Sequence, residues 1–196
     1  KSGAQSIRLE SFRSGNEAGN ARLCWKAAVK PFHHYILKGW SKREGLQGLC
    51  QAIALDSKGR SLTAGEMEGG ANQGWKEFKF SFNSLENSEV NVYVGVWGGS
   101  AGKVWWDDIS VQEAGLLNVI RRPGAPLSVT AENGRKLEEG RDFEAVLDPG
   151  LGVTPWEGEY DLNHPAPSLR MKGAAALPDG SKLKVSFFHA KTALHG

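Results

Sequence analysis

The strongest constraint on this chain is strict two-residue alternation. In Trp75–Asn83, Phe78, Phe80 and Phe82 fall on one side, and Trp75, Glu77, Lys79 and Ser81 on the other. In Glu89–Trp97, Val90, Val92, Val94 and Val96 oppose Asn91, Tyr93, Gly95 and Trp97. A period of two puts one apolar row on one face of a pleated strand, which a helix cannot do. The same pattern recurs in Gln5–Phe12, Arg22–Lys30, His34–Arg43, Leu49–Leu55 and Lys103–Val111. Seven strands with almost no helical periodicity predict an antiparallel β-sandwich. Gly98–Gly102 reads as the loop joining the last two strands.

Gly115–Gly124 ends in Arg-Arg-Pro-Gly and marks a boundary. Shorter strands follow, near 127–130, 143–147, 159–162, 168–171 and 182–189. Asn-Gly, Pro-Gly and Asp-Gly turns separate them. About 80 residues of this kind suffice for a smaller β-sandwich of the immunoglobulin or fibronectin type. The predicted domains are therefore residues 1–114 and 115–196. Six of the seven Trp lie in the first.

Charge narrows the function. Residues 1–113 hold 14 Lys+Arg against 12 Asp+Glu, and residues 114–196 hold 10 against 10. Neither half is a basic surface, which argues against nucleic acid as a partner. No apolar run is long enough to span a membrane as a helix, and the residues from Lys1 onward do not read as a secretory leader. Cys24 and Cys50 are too few for a disulfide framework and lack metal-ligand spacing. Each falls in a predicted strand and reads as a buried thiol. No HExxH, GxSxG or phosphate-loop pattern occurs. Acidic pairs such as Glu66/Glu68 and Glu138/Glu139 carry no glycosidase signature. The chain is not expected to be an enzyme.

Four segments of the first half resemble jelly-roll carbohydrate-binding modules of the family 4/9/22 type. Ser2-Gly3-Ala4-Gln5-Ser6-Ile7-Arg8-Leu9 looks like their early "SGxxSLRL" strand. Val29-Lys30-Pro31 with Tyr35-Ile36-Leu37 and Trp40 looks like their "VxP…YxL…W" hairpin. Gln73–Phe78 resembles the "WxxF/Y" strand, and Trp106–Val111 the closing "DDVSL" strand. Such modules open with one more strand, which is not expected among the residues from Lys1 onward. The second half looks like a β-rich connecting module that precedes the catalytic barrel of secreted bacterial glycoside hydrolases. The likeness rests on 115–124, 139–144 and 184–189. It implies a non-catalytic, secreted polysaccharide-binding region with an adjacent catalytic domain. The alternative is a scaffold that packs on that domain and binds no sugar itself.

Sugars stack their CH-rich faces on aromatic rings and offer hydroxyls to polar side chains. By alternation Tyr93, Trp97 and Asn91 face out of their strand. Trp105 joins Ile109 and Val111 in the core, which leaves Trp106 outside. Trp40 shares a face with Lys38 and Lys42, and Glu77 with Lys79 and Trp75. The predicted carbohydrate-binding set is Trp40, Tyr93, Trp97, Trp106, Asn91, Glu77 and Lys79. In the resembled modules the first Asp of the Asp-Asp pair helps hold a structural calcium. That implies Asp107, with Glu10 as a possible helper; calcium needs six to eight oxygens.

Overall fold

The computed structural model describes residues 3, 5–63, 67, 69–148, 166–173 and 177–189. They form two compact units, one ending at Ala114 and the other beginning at Gly115. The expected strand at 159–162 lies outside the described residues.

The first unit is an antiparallel β-sandwich of five strands: β1 (Ile7–Glu10), β2 (Gly19–Ala28), β3 (His34–Leu55), β4 (Gln73–Asn83) and β5 (Glu89–Glu113). Four of the seven predicted strands merge pairwise into β3 and β5. These two pair from Tyr35↔Glu113 to Leu55↔Asn91, with register shifts at Lys38/Trp40, Glu44/Gln47 and Gln47/Leu49. Near one end they lie between β1 and β4, in the order β1-β5-β3-β4. Near the other end β5 pairs with β2 instead. The long β3–β5 pair thus passes from one sheet of the sandwich into the other.

The Gly98–Gly102 segment is therefore not a loop but the bend in β5. At Gly102, and at Gly48 opposite Gly99, a side chain is excluded because the two strands touch. A Cβ on Gly102, at φ +92°, would stand 2.4 Å from the Gly45 carbonyl oxygen. One on Gly48 would stand 2.7 Å from the Gly99 Cα. Glycine alone permits that approach and that backbone.

In β4 and the first half of β5 the core is built as alternation predicts. Val90, Val92, Val94 and Val96 of β5 meet Phe78, Phe80 and Phe82 of β4. Tyr35 stacks on Phe82 with ring centres 5.7 Å apart. In the far half of β3 the small side chains Cys50, Ala52 and Ala54 point inward, while Leu49 is 47% exposed. Arg43 also points inward, 4% exposed. Its guanidinium donates to the Gly69 carbonyl at 2.9 Å and so ties the loop before β4 to the core.

The second unit carries a three-stranded antiparallel sheet of β6 (Ser128–Ala131), β7 (Lys136–Leu137) and β8 (Leu183–Ser186), in the order β7-β6-β8. Val129, Leu137, Phe143 and Val146 form its core. Among the described residues, Phe143 joins only isolated bridges, to Glu139 and Met171. Asp142 holds the turn beside it. Its carboxylate accepts from the Glu138 amide at 2.8 Å, from Arg141 at 2.8 Å and from Arg135 at 3.0 Å.

Candidate carbohydrate-binding surface

The predicted aromatic set divides between two faces of the first unit. Trp40, Glu77 and Lys79 stand on the outer face of the β1-β5-β3-β4 sheet, with Trp40 the register partner of Glu77 and Lys38 of Lys79. Tyr93, Trp97 and Asn91 stand on the outer face of the β2-β5-β3 sheet, where Trp97 opposes Leu49 and Tyr93 opposes Ile53. They do not form one platform.

Trp106 belongs to neither face. It is 1% exposed, and its ring meets Phe78 edge-on at 5.7 Å. The expected parity of this segment is inverted, and Asp108 is the reason. Trp40 pairs with Asp107 and Lys38 with Ser110, so β5 spends three residues where β3 spends two. Asp108, at φ +49°, is the extra residue of a β-bulge. It shifts the phase, so Val104 and Trp106 share the inward side with Ile109 and Val111. Trp105, expected in the core, is turned outward. Its ring lies under Lys42, whose Nζ is 4.7 Å from the ring centre.

The corrected first face is coherent. One cross-strand row runs Arg8–Trp105–Lys42, and the next runs Asp107–Trp40–Glu77. Trp75 joins them on β4, where the β3–β4 register shifts between Ser41 and Arg43. Trp40, Trp75 and Trp105 are each half-buried, as rings lying against a sheet are. Trp40 is flanked by a carboxylate on either neighbouring strand. Lys79 pairs with Glu77 at 3.0 Å, which keeps both termini near the rings. Trp75 is legible from its parity with Glu77 and Lys79. Trp105 is not, because no residue type announces the bulge.

Trp106 also lines a cleft of about 530 Å³ at the edge of the sandwich, with Leu23 and Trp25 of β2, Gln5–Ile7, and Asp107–Ile109. Its indole N–H is buried and has no acceptor among the described residues.

Asp107 and Glu10 are not brought together. Glu10 is the register partner of Lys103, four residues along β5 from Asp107 and so about 13 Å away. Its carboxylate lies 3.0 Å from Arg8 and 3.9 Å from Lys103. Asp107 accepts the amide of Asp108 at 2.9 Å. The pair does not fit a shared calcium site. Among the described residues no group of three or more His, Cys, Asp or Glu could hold a metal ion. The thiols also part ways: Cys50 is buried and Cys24, expected to be buried, is exposed on the outer face of β2.

No protein-family model matches the chain, and no curated protein does. Among solved structures, one described as "CBM4 structure and function" aligns with a TM-score of 0.43 at 15% identity. The alignment covers 55% of this chain and 79% of that one.

Proposed function

We propose that the first unit is a carbohydrate-binding module that holds a polysaccharide across the outer face of the β1-β5-β3-β4 sheet by aromatic stacking. The observation that carries this reading is the placing of Trp40, Trp75 and Trp105 on one face, interleaved with Asp107, Glu77, Lys79 and Lys42. Rings supply the CH–π surface. Carboxylates accept from sugar hydroxyls, and ammonium groups donate to ring and hydroxyl oxygens. Three rings on a solvated face would otherwise be a costly exposure of apolar area.

The role is to bind rather than to cleave. A tethered module raises the local concentration of substrate for a partner domain. We place the region in a secreted bacterial glycoside hydrolase, with the second unit connecting it to an adjacent catalytic domain. The scaffold alternative draws support from Lys42, which already covers part of the Trp105 ring.

Affinity electrophoresis and calorimetry against β-glucans, xylans and mannans test the reading. Binding should be modest and insensitive to salt, and Trp40→Ala should weaken it at least tenfold. Retention of full affinity in a Trp40→Ala/Trp105→Ala double variant would remove this face. No binding to any glycan would leave the scaffold reading.

A further inference from the structure

The outer face of the β2-β5-β3 sheet is chemically different, and its centre is Arg22. Arg22 of β2 is the register partner of Gly95, which sits between Tyr93 and Trp97 along β5. Gly95 brings no side chain, and a Cβ there would run into the Ala21 carbonyl oxygen at 2.2 Å. The arginine side chain therefore spans the gap. Its guanidinium carbon lies 5.3 Å from the Trp97 ring centre and 6.0 Å from that of Tyr93.

What sets this group apart is what it does not use. Among the described residues, Arg8 pairs with Glu10, Arg60 with Asp56, Arg13 donates to the Ser100 carbonyl and Arg43 to that of Gly69. Arg22 makes no ion pair and no hydrogen bond among the described residues; its contacts there are the two rings. The nearest cation on the face, Lys26, is already matched by Glu89 at 2.8 Å. A guanidinium carries five N–H donors in a planar fork that fits a carboxylate in two parallel bonds. Held between two rings, it has lost much of the rotamer freedom that such a bond would otherwise cost. Gln51 of β3 opposes Gly95 on the other side and adds a neutral amide.

We infer that this face is a second binding surface, selective for carboxylate-bearing sugars. The uronate carboxylate is received by Arg22, and its ring stacks on Trp97 or Tyr93. The inference rests on the carbohydrate reading but concerns the opposite face.

Calorimetric titration of the whole chain with tetragalacturonate, its methyl ester, and neutral cello- and xylo-tetraose tests it. The free acid should bind at least tenfold more tightly than the ester, and raised salt should weaken it. Arg22→Gln should abolish that preference, and Arg22→Lys should recover part of it. Neutral-oligosaccharide binding should be unchanged in both, and Trp40→Ala should leave the acid preference intact. Equal affinity for acid and ester, or an unaltered preference in Arg22→Gln at an unchanged melting temperature, would overturn the inference. Binding of the neutral sugars without any acid preference sinks this inference alone. Binding of no saccharide at all sinks it together with the proposed function.

Discussion

Lys42 and Trp105 are register partners on the outer face of the first sheet, with the ammonium 4.7 Å from the ring centre. Trp106, the next residue, is in the core. Consecutive tryptophans thus have opposite duties, and substitution should separate them. Trp106→Ala should cost about 3–5 kcal/mol of stability by opening a cavity. Trp105→Ala should cost less than about 1 kcal/mol and instead weaken glycan binding. Urea unfolding of each variant, set beside affinity electrophoresis, checks both halves. A strongly destabilised Trp105→Ala with normal binding would show the two roles reversed.

The bulge at Asp108 holds that arrangement, through a backbone conformation that suits glycine and tolerates Asp. Asp108→Gly should leave stability within about 0.5 kcal/mol, whereas the β-branched side chain of Asp108→Val should cost about 1–3 kcal/mol. Chemical denaturation measures the difference. If valine were as well tolerated as glycine, the left-handed conformation would not be required.

Acid should act on the second unit through Asp142. The hydrogen bond from Arg141, with the Glu138 amide and the charge of Arg135, holds its carboxyl down at about 2, from an ordinary 3.8. Because the folded value is the lower one, the unfolded chain binds the proton first as pH falls. The stabilisation is complete above about pH 4 and is lost as pH falls toward 2. The urea midpoint of the second unit should drop across that window. Asp142→Asn should be weaker at neutral pH and show a flatter profile. Parallel profiles for the two proteins would exclude Asp142 as the cause.

The two thiols should differ in reactivity. Burial pushes the Cys50 thiol up to about 11, against an opposing pull from Arg43. The thiolate is the reactive form, so iodoacetamide should label Cys24 in the native protein and reach Cys50 only after unfolding. Mass spectrometry of native and denatured samples reads this directly. Native labelling of Cys50 at a comparable rate would contradict its place on the buried inner face of β3.

Much of the first unit was legible in order of residues. Val90 to Val96 and Phe78 to Phe82 face inward as their alternation requires, because on a pleated strand burial and parity are the same statement. Tyr93, Trp97 and Trp40 face outward for the same reason. Alternation has no memory across a bulge, however. One extra residue at Asp108 exchanged Trp105 for Trp106, and nothing in the types of the neighbouring residues signals it.

The sequence by itself therefore placed the strand segments of the first unit and, between bulges, the side on which their residues lie. In the second unit it missed β7 and expected strands near 143–147 and 168–171, where the described residues form only isolated bridges. Tertiary structure decided the rest. Pairing joined the strands on either side of Gly45–Gly48 and Gly98–Gly102 into two long strands that lie side by side and bend together. The bend carried Tyr93 and Trp97 to a different face from Trp40, and it set Arg22 against Gly95. Face membership depends on which strands pair and where their register slips. Those are contacts between segments distant in the chain, and a local period of two carries no record of them.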